Sequence, residues 1–597
     1  MKDTLNRQAL WTDEAVNKVR FQAGMKLRVL LLLLALCMLQ FFWGLGRAPF
    51  YTRGESREGL VVWEMYKTGN WTLPMINGDY IPYKPPLFHW AGVLTSIVTG
   101  KVNEFTIRFP SALFAILGVV LVYAAGTRLW NEKTGRFAAF VLATNPEWWH
   151  SGTMAQVDMT LTFFMTAALL LFYFMYKEGN HHRLYCVGLA LLLAFAALAK
   201  GPLGSILPLL IFLVFLGLRR DFAFLKKLHL FSAAVVFLVV AGSWYALALW
   251  QGGPTFFIRQ IIEENLGTAV GDYGHHQPDY YFVPVFFLNL EPWSYFSPLI
   301  AFYVYRRRRE LFQNHLLFPS VWLVTVFLFF SLALGKRGVY ILPLFPAFAL
   351  LFGAWWGSLD KEDLPYSRWL TSAAGYLLAA SVLFVVVRIA FLIESHGAQH
   401  QRIFLLTKNP RALNDVLGFL TPPSVSVWIC LVLFGAAALL ILLSLPQKKW
   451  DGVFVGFACM AIGTTLFLKI AYYPTIATKR TLKPFAVRVG ENLDPQARLL
   501  FYHGLDYGTI FYSRRHIASY SPEIQELEAP VFLLMWEEDW QRIRDRNDLK
   551  MLDISEGRGP VGKHRLVLIE SPGETPISDP TTFSPLKRGD AVDSDGE

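Results

Sequence analysis

Charge is scarce in this chain. Asp, Glu, Lys and Arg together make up 17% of its residues, against roughly 25% in an ordinary soluble protein, which excludes a conventional water-soluble globular fold for most of its length. Cysteine is scarce too. The four cysteines, Cys37, Cys186, Cys430 and Cys459, lie in or beside apolar runs. Their spacing matches neither a disulfide framework nor a zinc site, so they read as small apolar residues. Internal repeats are missing, which argues against a transporter built from duplicated halves. The net charge of +10 is not gathered into a nucleic-acid-binding tract. It reads instead as the basic bias of a membrane protein's cytoplasmic loops.

What the chain has in abundance is apolar length, with 54% of its residues hydrophobic. About thirteen runs approach the ~20 residues that cross a bilayer as a helix. They lie near 27–45, 109–127, 135–149, 159–177, 184–199, 203–218, 229–250, 281–303, 316–334, 340–357, 369–394, 425–445 and 452–472. The first is not a cleavable signal, because no small-residue cleavage site follows it. Arg7, Lys18, Arg20, Lys26 and Arg28 put the N-terminal 1–26 segment in the cytoplasm. With strict alternation, the basic clusters at 128–136, 181–183, 219–227, 306–309 and 448–449 then fall on that side as well. The expectation is an all-α polytopic membrane protein, its transmembrane module covering 27–472, with outer loops at 46–108 and 251–280. The short apolar segment 87–99, begun by Pro85-Pro86, reads as a helix lying in the outer interface.

Beyond about 473 the composition changes. Short β-like runs at 498–502, 530–535 and 565–569 alternate with helical patterns at 506–513 and 539–546. This predicts a small extracytoplasmic α/β domain over 473–570, with a lid or docking role and no catalytic motif. The Pro-, Ser-, Asp- and Thr-rich segment 571–597 reads as disordered.

Against this apolar background the outer-face charges stand out, since charge near lipid is costly. Glu55, Arg57 and Glu58 open the first outer loop. A carboxylate there suits a proton acceptor and Arg57 a phosphate clamp, or the three are a solvated first helical turn. Lys84, between Tyr83 and Pro85-Pro86, has a backbone fixed in extended form; it is an anion ligand or a snorkelling lysine. Asp158 opens a span, as a functional acid or as a helix cap. Lys200 ends a span just before Gly201-Pro202, either at an anion site or complementing the helix dipole. The convergence of Arg57, Lys84 and Lys200 on one face favours an anion site. Glu263, Glu264, His275 and His276 share the 251–280 loop without a recognised metal spacing, so polar contact with a sugar is preferred to a metal. Lys336 and Arg337, with Tyr340 nearby, sit on an outer turn against the charge bias and are functional candidates.

Together these segments resemble the GT-C glycosyltransferases of the protein O-mannosyltransferase and lipid A aminoarabinose transferase group. The resemblance runs through Gly54-Glu55-Ser56-Arg57-Glu58, Lys84-Pro85-Pro86-Leu87, Val157-Asp158-Met159, Ala199-Lys200-Gly201-Pro202, His275 to Tyr281, Pro292-Trp293 and Gly335 to Pro343. It implies an inverting enzyme of a bacterial inner membrane that takes a sugar from a polyprenyl-phosphate carrier. The acceptor would be an envelope lipid or glycan such as lipid A, or alternatively a protein hydroxyl. Arg57, Lys84, Lys200 and Tyr340 would bind the carrier phosphate, Glu55 and Asp158 would be the catalytic acids, and Glu58, Glu264, His275, His276, Lys336 and Arg337 would contact substrate. No cofactor is required, no metal ligand is assigned, and nucleic acid is not a partner.

The chain departs from the family pattern at its leading acid, which aligns with Gly54, and it has Tyr83 where the aminoarabinose branch has an acid. Three readings of the Gly54 change stand. Glu55 is the base from a displaced position, the acceptor arrives already ionised, or the chain is a non-catalytic envelope or lipid-linked-sugar transport protein.

Overall fold

The computed structural model describes residues 27–78, 81–267, 277–359, 372–373, 375–376, 425–447, 449–521, 531–544 and 549–571. The expected N-terminal segment 1–26, all but four residues of the span at 369–394, and the tail after 571 lie outside these residues.

Most of the described chain is helical. Six helical stretches are long and apolar enough to cross a membrane: Glu104–Leu129, Val157–Glu178, Arg183–Lys200, Leu230–Glu264, Gly338–Ser358 and Trp450–Arg480. Shorter apolar helices run over Leu27–Phe42, Leu87–Thr99, Leu203–Arg219, Leu317–Leu332 and Trp428–Ser444. The protein is therefore a multi-pass membrane protein.

Two expected spans are broken rather than continuous. The run 135–149 divides into helices Glu132–Ala143 and Pro146–Thr153. Asn145 makes the break, because its side-chain oxygen accepts from the Trp148 N–H at 2.7 Å while its amide donates to the Asn289 carbonyl at 2.9 Å. An Asn-Pro pair is a helix start, since Asn caps and Pro needs no N–H partner at the first turn. The run 281–303 divides likewise into Phe282–Asn289, Trp293–Phe296 and Ser297–Arg306 around Pro292. In the other direction, the helix entering the 251–280 loop continues past its expected end to Gly267, bending where Gly253 leaves helical geometry (φ 56°, ψ −151°) just before Pro254. The last span runs on to Arg480, so the connecting helix expected from 479 begins at Lys483.

Close helix approach is made by small residues, as it must be where lipid supplies no hydrophobic drive between helices. At Gly126 a Cβ would meet the Gly135 Cα at 2.8 Å. Nearby, Trp293, Phe296, Phe352, Trp356, Phe454 and Phe457 form a buried aromatic core.

The C-terminal segment forms one mixed sheet of five strands: β1 (Leu499–Tyr502), β2 (Ala518–Tyr520), β3 (Val531–Trp536), β4 (Lys550–Ile554) and β5 (Leu566–Ser571). The spatial order is β2-β1-β3-β5-β4, with β1 parallel to β2 and β3, and β5 antiparallel to β3 and β4. Strand alternation sorts side chains onto two faces. Leu500, Tyr502, Leu533, Met535, Val567 and Ile569 pack on one. Leu499, Phe501, Leu534, Leu566 and Leu568 pack on the other, in the same core as Phe50, Leu60, Val62, Phe88 and Ile107 of the first loop and the helix after it. A fully buried Leu, Val or Phe contributes about 1.5–3 kcal/mol, so this shared core binds the sheet firmly to the first loop.

Candidate functional site

The first loop builds one wall. Helix Arg53–Thr68 is started by Thr52, whose hydroxyl accepts from the Glu55 N–H at 3.2 Å, and stopped by Gly69 at φ 68°. Within it, successive acids have different partners. Glu55 is fully buried. Its two oxygens take the Arg108 Nε and Nη2 at 2.7 and 3.0 Å, and one also accepts from the Ala155 N–H at 3.1 Å. Glu58 accepts from Arg57 at 3.0 Å and pairs with His89 at 2.6 Å. Burial pushes the Glu58 carboxyl up, but Arg57 and His89 outweigh it and bring its pKa down to about 2.

Lys84 lies at the centre. It is buried and ion-paired with Glu264. Its pKa is held well below the usual lysine range, first by burial, then by the charges of Lys200 and Arg57; Asp158 and Glu58 oppose the shift. Five charged groups from four stretches of chain thus act on one ammonium. Lys200 in turn pairs with Asp158, and its Nζ lies over the Tyr340 ring, 4.5 Å from the centroid.

The segment after the Gly253 bend grips three consecutive residues. Gln260 donates to the Pro82 carbonyl at 2.8 Å, Arg259 stacks on Tyr83 with its guanidinium carbon 4.2 Å from the ring centroid, and Glu264 meets Lys84. Arg57 approaches the same Tyr83 ring, at 5.6 Å. The cluster therefore holds the cations Arg57, Lys84, Lys200 and Arg259 against the carboxylates Glu58, Asp158 and Glu264. A cation excess in a poorly hydrated space is suited to receive an anion.

Beneath the Asp158–Lys200 pair lies a small cleft of about 10 Å³, room for a single water-sized group, walled mainly by Leu, Met, Phe and Pro side chains. The C-terminal segment packs over the first-loop wall. Helix Tyr507–Ser513, capped by the buried Asp506, approaches helix Arg53–Thr68 so closely that a Cβ on Gly508 would lie 3.1 Å from the Ser56 Oγ. Tyr512 accepts from the Phe50 N–H at 2.7 Å and donates to Glu104 at 2.9 Å, while the Asn77 side chain pairs with both backbone groups of Ile517.

Of the residues singled out from sequence, Arg57, Glu58, Lys84, Asp158, Lys200, Glu264 and Tyr340 come together. Lys336 is buried and turned to the 277–279 stretch, donating to the Gln277 carbonyl at 3.2 Å; Arg337 follows it half-buried. His275 and His276 lie outside the described residues, and among those described no group of three His, Cys, Asp or Glu side chains could hold a metal ion. Glu55, expected as a catalytic acid, is buried with both of its oxygens taken by Arg108, in an ion pair that joins two helices. Arg108, His89 and Arg259 were missed. A lone arginine early in an apolar helix was the available signal for Arg108; Arg259 carried none.

Residues 83–245 match the family described as dolichyl-phosphate-mannose-protein mannosyltransferase. An uncharacterised protein of Aquifex aeolicus is 28% identical over 60% of this chain and 78% of its own length. The undecaprenyl phosphate-alpha-4-amino-4-deoxy-L-arabinose arabinosyl transferase of Pectobacterium carotovorum is 30% identical over 55% of this chain, which spans only 60% of that relative. Among solved structures, ArnT from Cupriavidus metallidurans bound to undecaprenyl phosphate aligns with a TM-score of 0.74 at 20% identity, covering 90% of this chain and 97% of that one. That likeness establishes the fold. The resemblance drawn from the motifs is borne out by these matches.

Proposed function

We propose that this protein is an inverting glycosyltransferase that moves a sugar from a polyprenyl-phosphate carrier to a lipid or glycan of the cell envelope, such as lipid A. One observation carries the reading: four cations, Arg57, Lys84, Lys200 and Arg259, gather in one largely buried cluster against three carboxylates, Glu58, Asp158 and Glu264. In the reaction an acceptor oxygen forms a bond to the anomeric carbon as the bond from that carbon to the carrier phosphate oxygen breaks. The electron pair leaves with the phosphate, and in-line attack inverts the carbon. Arg57, Lys84 and Lys200, with the Tyr340 hydroxyl, stabilise the departing charge, the kind of preorganised contribution that amounts to about 3–4 kcal/mol per donor. Asp158 holds Lys200 in place, and Glu58 holds Arg57.

Gly54 leaves open space on the helix where the related pattern has an acid, and Glu55 is bound to Arg108. This favours an acceptor that arrives ionised, such as a phosphate group, which needs no proton removed. The match over 83–245 keeps a protein hydroxyl as the second acceptor class. Glu264, His275, His276, Lys336 and Arg337 are assigned to sugar or acceptor contact. The N-terminus is assigned to the cytoplasm of a bacterial inner membrane, and the 473–570 unit to the outer face, on the distribution of basic residues.

The test is mass spectrometry of envelope lipids, glycans and glycoproteins from cells carrying the wild-type protein, Lys84→Ala, or a deletion. One glycoform missing from both altered strains supports the reading and identifies the acceptor. A glycoform retained in Lys84→Ala and lost only in the deletion removes the anion-site assignment.

A further inference from the structure

Helix Val157–Glu178 carries three fully buried threonines, Thr160, Thr162 and Thr166, whose hydroxyls have no hydrogen-bond partner among the described residues. In a helix a threonine hydroxyl ordinarily bonds the carbonyl one turn back. Leaving a buried hydroxyl unpaired is costly, since its hydration is lost with nothing in exchange. Thr162 differs from the other two in where it sits. It follows Asp158 by one turn, on the same helical face, and lines the cleft below the Asp158–Lys200 pair with Leu161, Met165, Leu203, Leu207, Phe330, Val339, Tyr340 and Pro343.

The cleft is thus apolar except at its charged head and at one unpaired hydroxyl just below. A purely hydrocarbon ligand would leave that hydroxyl unsatisfied, and a phosphate is already provided for by the cations above. We propose that the Thr162 hydroxyl reads one polar substituent, a hydroxyl or an amino group, of the carrier's sugar, making Thr162 a specificity-determining residue. The assignment rests on the polyprenyl-phosphate sugar donor proposed above. The cleft has room for one hydroxyl- or amino-sized group and not for a ring, so the sugar ring stays at the charged head beside Lys200 and Tyr340, and Thr162 pairs with the single substituent directed into the cleft. A hydrogen bond to a buried polar group discriminates more sharply than apolar fit, because the analogue lacking it leaves the site's own group unpaired.

The experiment uses the full-length protein in lipid nanodiscs. Affinities are measured for undecaprenyl phosphate alone and for the same carrier bearing 4-amino-4-deoxy-L-arabinose, glucose or mannose. The variants are Thr162→Val, which keeps shape and removes the hydroxyl, Thr162→Ser, which restores it, and Thr166→Val as a buried control away from the cleft. The expected result is a Thr162→Val protein with unchanged or higher Tm and wild-type affinity for the bare carrier, but with affinity for the sugar-bearing carrier that the wild type prefers reduced about 5- to 10-fold. Thr162→Ser recovers most of that loss, and Thr166→Val shows none. Equal affinities of wild type and Thr162→Val for every sugar-bearing carrier overturn the assignment, as does a wild type that binds no sugar-bearing carrier more tightly than the bare one. A wild type that binds no carrier at all overturns the donor reading itself, and this inference with it.

Discussion

Glu55 and Arg108 form a two-pronged ion pair with almost no exposure to solvent, at 2.7 and 3.0 Å. The pair joins the start of helix Arg53–Thr68 to helix Glu104–Leu129, and through the Ala155 N–H it also fixes the approach to Asp158. Arg108 further donates to the carbonyls of Leu45 and Ala48. Removing one partner strands a buried charge, which typically costs about 3–5 kcal/mol. Glu55→Leu and Arg108→Met should each lower Tm steeply, and the double variant should recover much of the loss. Single variants with wild-type Tm but no activity would show that Glu55 acts in the chemistry after all.

Lys84→Ala and Lys200→Ala should each reduce turnover of the sugar-bearing carrier by about 10²–10³-fold, the range for losing one transition-state charge donor. Each substitution also leaves a carboxylate, Glu264 or Asp158, without its lysine, so Tm should fall, and turnover is compared at a temperature where both variants are folded. Turnover at the wild-type rate in either variant would count against its role.

Carrier binding should weaken as pH rises, at a lower pH than an ordinary lysine would impose. Lys84 has its proton affinity lowered from a reference of 10.5 by burial and by Lys200 and Arg57, with Asp158, Glu58 and the contacting Glu264 on the other side of the balance. Below its depressed pKa it is charged and attracts phosphate; above it that attraction is lost. Over the same window the unfolded chain holds more protons than the folded one, so this group's contribution to stability rises with pH while binding falls. Lys84→Arg keeps its charge and should move the alkaline limb of the affinity profile upward. An unmoved limb would assign the titration to another group.

The C-terminal sheet should be needed for activity through contact. Gly508→Val would press a side chain against Ser56, since even a Cβ there stands 3.1 Å from its hydroxyl oxygen. Tyr512→Phe would strand the Phe50 N–H and remove one partner of Glu104, at about 1–3 kcal/mol. Both should lower transfer and expose the segment after Arg480 to protease without unfolding the apolar helices. Unchanged transfer and protection in both variants would argue that this unit is only loosely associated.

Much of the membrane module was legible because long apolar runs have few alternatives to being helices. The errors lie where a single helix-breaking residue overrode the run: Asn145 splits one span by capping the backbone of the next helix, and Pro292, which has no backbone N–H to donate, interrupts another. In the sheet the central strands β1, β3 and β5 were found from buried apolar runs. The edge strands β2 and β4 were missed, because Ala518–Tyr520 is three residues long and Lys550–Ile554 is largely exposed, so neither has a marked apolar pattern. The cations of the site were visible as charge out of place in apolar sequence. Partner choice was not: nothing local distinguishes Glu55, which faces Arg108 fifty-three residues away, from Glu58, which faces Arg57 beside it.

The paired hydrogen bonds between Asn77 and Ile517 span 440 residues of sequence. At a synthesis rate of about 5–20 residues per second, the first loop waits roughly 20–90 s for the strand that covers it. During that interval Phe50, Leu60 and Phe88 have no sheet to pack against. The nascent chain therefore carries an uncovered apolar face through most of its own manufacture, and a chain halted between about residue 340 and the sheet has every charged group of the centre but not the wall that covers it.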